Sequence, residues 1–166
     1  FEVGKKVKDF KKGDLVAVPA MTPDWRDKAI QESNFLHAKR PFSSNALGRT
    51  LDGVFAEYFK IDDADMNLAS IEEGIDIEDA LMCVDMVTTG FSGVESADIK
   101  FGDSVVVIGI GAVGLMAIQA AALKGAARII AIGSREASIK LAKKYGACEI
   151  LDYRSGEAFL KDYILE

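Results

Sequence analysis

The sequence predicts an α/β protein: a β-rich portion over residues 1–75, then connecting helices and the first half of a parallel sheet over residues 76–166. Three observations lead there. Val105-Val106-Val107-Ile108 is an unbroken β-branched run, as expected of a parallel strand covered on both faces. From residue 102 onward, glycines punctuate an order of strand, glycine turn, helix, strand, helix, strand. Before residue 76, short strand signals are separated by turn formers and by a long stretch without a period.

In chain order, Lys12-Gly13-Asp14 is a turn, and Leu15-Val16-Ala17-Val18 is a short strand stopped by Pro19. Residues 20–51 carry mixed charge and no period, a length of loop that is usually functional or mobile, and they are expected to be the least ordered part. Val54 to Ile61 is aromatic-rich and follows Asp52-Gly53, which predicts a turn and a second strand. Asp76 and Asp79 predict an N-cap and an acidic first turn. The helix that follows, Ala80 to Val87, is apolar nearly all round and is expected to be buried on most sides. Thr88-Thr89-Gly90 interrupts it, and a second short helix runs to about Ala97.

Gly102-Asp103 is another turn, ahead of a strand over Ser104 to Ile110. An Ala-rich helix spans Ala112 to Lys124, closed by Gly125 in the left-handed cap position. Arg128 to Ile132 is a second buried strand. Glu136 to Tyr145 has Ala137, Leu141, Ala142 and Tyr145 at helical spacing and ends at Gly146. Glu149 to Asp152 is a third strand. Two consecutive strand–helix–strand crossovers imply a parallel sheet. The Gly-Asp pairs at 13–14 and 102–103 are turn chemistry, not a repeat.

Composition narrows the function. Of 166 residues, 49% are hydrophobic and 28% charged, a globular balance. A net charge of −6 without a basic stripe argues against nucleic acid, and the apolar runs are too short and broken for a membrane span. Cys83 and Cys148 lack CxxC spacing, which leaves neither a four-cysteine zinc site nor a disulfide framework and suits a reducing, cytoplasmic setting. Phe1 in place of a start Met suggests a piece of something longer.

The chemistry concentrates in Gly109-Ile110-Gly111-Ala112-Val113-Gly114, a GxGxxG turn between a strand and a helix. Its first glycine permits the tight turn, the second lets backbone approach a pyrophosphate, and the third permits close helix–strand packing. The helix N-terminus then offers free N–H groups to phosphate. Two other readings stand beside a dinucleotide-binding Rossmann domain: a turn used only for packing, or a methyltransferase. At the end of the second strand, where an NAD site usually has an acidic residue, stand Gly133, Ser134 and Arg135. A glycine leaves room for a 2′-phosphate, a hydroxyl can donate to it and a guanidinium can pair with it, so NADP is favoured over NAD. Tyr153 can lie beside the same group. Alternatively Ser134 is a helix N-cap, and Arg135 a solvated first-turn residue that needs a compensating anion. Asp85, a lone carboxylate in an apolar helix, is either metal-bound or accepts from the Thr88 N–H as a cap.

Several stretches together resemble the zinc-dependent medium-chain alcohol dehydrogenase family, nearest to its microbial NADP-dependent secondary-alcohol members. They are Val7-Lys8-Asp9-Phe10, Thr22-Pro23-Asp24-Trp25, Asp52-Gly53-Val54-Phe55, Asp63 to Ala69, Asp85 to Phe91, the glycine turn with its strand, and Gly133-Ser134-Arg135. Only residues 26–51 fall outside the likeness. The resemblance implies a GroES-like β-domain followed by a Rossmann domain, NADP and zinc as cofactors, a secondary alcohol or ketone as substrate, and a homo-oligomer. It casts Asp85 as a zinc ligand, Thr89 and Gly90 near the nicotinamide, and Gly133, Ser134, Arg135 and Tyr153 around the 2′-phosphate. The family's cysteine and histidine zinc ligands lie upstream of Phe1, so the chain alone is expected to be inactive. His37, the sole histidine, is expected to be a surface residue. Two other functions stay open: a zinc-free quinone or enone reductase, which needs no carboxylate at Asp85, and an inactive NADP-binding or structural remnant.

Overall fold

The computed structural model describes residues 2–34, 47–49 and 51–155, which fall into two units, Phe1–Val84 and Asp85–Glu166. His37 and part of the aperiodic stretch, residues 35–46 and 50, lie outside the described residues.

In the first unit, β1 (Val16–Ala17), α1 (Lys28–Gln31), α2 (Ala64–Asn67), β2 (Ala69–Ser70) and α3 (Ile77–Met82) follow in order. β1 pairs antiparallel with β2, Val16 opposite Ser70, so the first expected strand is only two residues long. The Lys12-Gly13 turn is as expected: Gly13 sits at φ +99°, and the Asp14 carboxylate accepts from the Lys11 N–H at 2.8 Å. The interior is partly polar. Asn67, 4% exposed, accepts from the Trp25 indole at 2.8 Å and donates to the carbonyls of Pro23 and Asp62 at 3.1 and 2.9 Å. Four hydrogen-bonding sites on one buried amide are costly to leave open, and here three are filled. Part of the predicted loop is helical, since Asp27 caps α1 at the Ala29 N–H, 2.9 Å away, and Ile30 is buried.

The strand expected over 54–61 does not form. Among the described residues no strand forms a ladder with it, and Phe55 is fully exposed. Aromatic and β-branched residues favour a strand because they pack on a pleated, half-buried surface, and among the described residues no sheet forms such a surface with these. The turn that precedes it lies earlier than Asp52-Gly53: Gly48, at φ +73°, donates to the Leu51 carbonyl at 3.0 Å.

α3 begins as expected, its Asp76 carboxylate accepting from the Glu78 N–H at 2.7 Å. It then continues through a π-turn at Cys83–Val87 into α4 (Thr88–Ser96). The break expected at Thr88-Thr89-Gly90 is therefore a widened turn five residues earlier, with helix on both sides. The burial expected for Ala80 to Val87 is not found either. Leu81 is 64% exposed and no residue of α3 is buried, because no apolar layer among the described residues lies over this face.

The second unit is organised on β3 (Ser104–Ile108), α5 (Ala112–Leu123), β4 (Arg128–Ile132), α6 (Glu136–Lys144) and β5 (Glu149–Leu151). The sheet is parallel in the order β3-β4-β5, with Val105 beside Ile129 and Ile132 beside Leu151. Both helices end in the same glycine motif. Gly125 and Gly146 are left-handed at φ +86° and +115°, and the next N–H reaches back to the carbonyls of Ala121 and Ala142 at 3.1 and 2.9 Å. The core lies on the α5 side, where Ile118, Ala121, Ile129, Ala131 and Ala142 are fully enclosed. A smaller cluster of Ile130, Ile132 and Leu151 lies on the opposite face of the sheet. α6 turns Ile139, Ala142 and Tyr145 to the core, whereas Ala137 and Leu141 of the expected stripe face outward.

β3 departs from the expected two-sided burial. Val105 and Val107 pack on the core, but Val106 and Ile108 face away and Ile108 is 80% exposed. An apolar run shows which side chains tolerate burial; whether the second face is covered depends on chain elsewhere, and no described residues cover it.

Candidate functional site

The glycine turn sits between β3 and α5. Gly109 is left-handed at φ +90°, and its N–H donates to the Ile132 carbonyl at 3.0 Å, which ties the turn to β4. A Cβ on Gly114 would stand 1.9 Å from the Gly109 carbonyl oxygen, so the third glycine lets the helix close on the turn. The side chain of Ile110 is buried in the core, while Ala112 and Val113 are exposed.

Gly111 is different. Its backbone is extended, at φ −77° and ψ −168°, and a Cβ added there would meet nothing within 4 Å. Nothing within the described chain requires a glycine at this position. The bare backbone opens toward the N-terminus of α5, whose N-cap provides no side-chain hydrogen bond. The first-turn N–H groups of a helix have no carbonyl partner within it and carry the positive end of its dipole. A cradle that a Cβ would fill, at an uncapped helix start, fits a phosphate-bearing group.

At the adjoining strand ends, Ile132 pairs with Leu151 and the Gly133 N–H donates to the Leu151 carbonyl at 3.0 Å. Ser134 and Tyr153 are thereby brought together, the Ser134 hydroxyl donating to the Tyr153 oxygen at 3.0 Å. The N-cap of α6 is Arg135, not Ser134, and it provides no side-chain hydrogen bond. Among the described residues Arg135 makes no ion pair, while Glu136 of the same turn is engaged by Lys140 at 2.7 Å. Gly133 has a plainer explanation than room for a ligand: a Cβ there would stand 2.2 Å from the Ile110 side chain. The glycine is required by packing between the two turns.

Asp85 lies in the π-turn, half-buried, and accepts from the Thr89 hydroxyl at 2.8 Å. Its backbone carbonyl accepts from the Thr88 hydroxyl at 3.0 Å. The cap expected from the Thr88 N–H is thus replaced by two hydroxyl contacts one turn on. Gly90 is buried against α5. A Cβ would stand 2.7 Å from the Met116 Cβ and 2.8 Å from both the Ala117 nitrogen and the Val113 carbonyl oxygen, so α4 and α5 touch at backbone distance. The Asp85–Thr89 pair and the glycine turn are therefore held by the same two helices. Among the described residues no three His, Cys, Asp or Glu side chains gather where they could hold a metal ion. One carboxylate does not make a zinc site, which takes at least three protein ligands.

Sequence reading missed Asp152 and Arg154. The Asp152 carboxylate accepts from the Arg154 N–H at 3.0 Å and from its Nε at 2.9 Å, and Arg154 Nη2 closes the pair. Asp-Tyr-Arg directly after a strand is the signal that was available, because an Asp two residues before a backbone N–H closes an Asx-turn. The guanidinium first, and then the backbone N–H, hold the Asp152 carboxyl down to about 2. This contact supports the turn at any pH above the ordinary carboxylate range of about 4 and is lost as pH falls through about 2. Carboxyl-carbon NMR of Asp152 should show that low titration, moved up toward the ordinary range in Arg154→Ala; an unmoved titration would refute the pairing.

Known proteins are similar to this chain in sequence and fold. The family described as zinc-binding dehydrogenase matches residues 112–165. The NADP-dependent isopropanol dehydrogenase of Clostridium beijerinckii is 53% identical over 155 residues, which are 93% of this chain and 44% of that protein. The NADP-dependent isopropanol dehydrogenase of Thermoanaerobacter brockii is 51% identical with the same coverage. Among solved structures, zinc dependent alcohol dehydrogenase 2 from Streptococcus pneumonia, in its apo form, superposes with a TM-score of 0.83 at 28% identity, over 99% of this chain and 46% of that one. The chain thus spans a little under half the length of the relatives it matches.

Proposed function

Because the chain belongs to the zinc-dependent medium-chain alcohol dehydrogenases, we propose that the protein it is part of interconverts secondary alcohols and ketones with NADP(H). The observation that carries the cofactor reading is the convergence of an open Gly111 backbone, an uncapped α5 and the Ser134–Tyr153 pair beside Arg135. When bound, the nicotinamide accepts or supplies the hydride. The chain's own residues bind and orient. Backbone N–H groups of Gly111, Ala112 and Val113 meet the pyrophosphate, with Gly109 and Gly114 shaping the turn. Ser134, Arg135 and the Tyr153 hydroxyl meet the 2′-phosphate, Arg135 adding a full positive charge at the start of α6. Thr89 holds Asp85 by its hydroxyl, and the backbone contact at Gly90 fixes both against α5.

Zinc belongs to this proposal through Asp85 as one ligand. The described residues do not make the site alone. The protein is proposed to act in the cytoplasm as a homo-oligomer; no helix among the described residues is long and apolar enough to cross a membrane.

The test is a thermal-shift titration of this chain with NADP⁺ and NAD⁺ in parallel. Ligand at about a hundred times its dissociation constant stabilises by about 2.7 kcal/mol, several degrees for a unit of this size. A shift with NADP⁺ and little with NAD⁺ is expected. Equal shifts would sink the 2′-phosphate assignment, and no shift with either would sink cofactor binding by this chain.

A further inference from the structure

The Asp152–Arg154 pair stands where it bears on the choice of cofactor. Gly133 and Asp152 follow the paired residues Ile132 and Leu151, so they occupy adjoining strand ends. Asp152 immediately precedes Tyr153, whose oxygen accepts from Ser134. A bare carboxylate at this position, next in sequence to Tyr153 and at the strand end beside Gly133, would put a negative charge close to the group that Ser134, Arg135 and Tyr153 are proposed to bind. It would repel a 2′-phosphate while leaving a ribose hydroxyl unaffected. Arg154 removes that conflict through Nε, 2.9 Å from one carboxylate oxygen and 3.0 Å from the other, and through Nη2. The backbone bond from the Arg154 N–H to Asp152, 3.0 Å, is separate from the charge pair and closes the turn that presents Tyr153.

Resting on the NADP reading above, we propose that Arg154 is a specificity-determining residue that acts through Asp152. It masks a carboxylate that would otherwise oppose the 2′-phosphate, and so preserves the preference for NADP over NAD without touching the cofactor itself. The low titration of Asp152 agrees with a carboxylate held closely by a cation. Arg154 is largely exposed, so its replacement does not threaten the core.

The experiment is calorimetric titration of this chain with NADP⁺ and with NAD⁺ for the wild type, Arg154→Ala, Arg154→Lys and the double variant Asp152→Asn/Arg154→Ala. In Arg154→Ala the preference for NADP⁺ should fall roughly fivefold through weaker NADP⁺ binding alone. Arg154→Lys should recover part of it. The double variant keeps an acceptor for the Arg154-position N–H and lacks the charge, so it should recover the wild-type preference. Equal loss for both cofactors would make the pair merely structural, and an unchanged preference would remove its role. Failure of the double variant to recover would show that Arg154 meets the phosphate directly. All three overturn the proposal while leaving the cofactor reading intact. Absence of any NADP⁺ binding by the wild type would overturn that reading and, with it, this one.

Discussion

Replacing Gly114 by alanine should both destabilise the second unit and abolish its response to NADP⁺. The new Cβ would lie 1.9 Å from the Gly109 carbonyl oxygen and 3.0 Å from the carbonyl carbon, which is backbone on a turn anchored to the Ile132 carbonyl. Nothing flexible is available to give way, so α5 must move off the turn, at a cost of about 1–3 kcal/mol. Gly111→Ala is the informative companion. Open space surrounds that position and its φ of −77° suits any residue. Its stability should stay within about 0.5 kcal/mol of wild type. Cofactor binding should nevertheless be lost, because the methyl occupies the approach of the pyrophosphate. Chemical denaturation and NADP⁺ titration on both variants check this. A Gly111→Ala chain that binds NADP⁺ like the wild type would mean that the cradle is not a phosphate site.

Ile118→Ala should cost the most stability of any single truncation in α5, about 2–5 kcal/mol. Ile118 is 0% exposed and packs in the cluster that includes Val94, Leu115, Ala121 and Ile129. Five alanines share that cluster, and their methyl groups cannot swing into the space, so part of the cavity would persist. Leu123→Ala, on the same helix but 72% exposed, should change stability by no more than about 0.5 kcal/mol. Urea unfolding followed by circular dichroism distinguishes them. Similar costs for the two would contradict the described orientation of α5.

What was legible in the sequence is what local physics decides. β3, β4, β5 and both glycine-capped helices follow from β-branched runs, an alanine-rich segment and glycines that must be left-handed. The meeting of Tyr153 with Ser134 was also legible, because consecutive crossovers bring successive strand ends side by side. Properties set by distant chain were not. Val54 to Ile61 has the composition of a strand, but composition does not supply a ladder partner. Val106 and Ile108 are as apolar as their neighbours, yet among the described residues little covers their face of β3, and Ile108 is largely exposed. The π-turn has no composition signal. Gly133 shows a third kind of gap: a ligand-based reason was at hand, while the actual contact, Ile110, lies 23 positions earlier in sequence and meets it only through the sheet.

The strand order β3-β4-β5 has a consequence for how the chain reaches its fold. Each strand pairs with its nearest predecessor, across residues 109–127 and then 133–148. Parallel sheets usually assemble slowly because their partners are far apart along the chain. Here every pairing closes a short loop that is itself mostly helix, and closure entropy grows only with the logarithm of loop length. The glycine turn and its flanking strands are therefore built from contacts among the lowest in sequence separation that a parallel sheet permits, and they can form progressively as each strand leaves the ribosome.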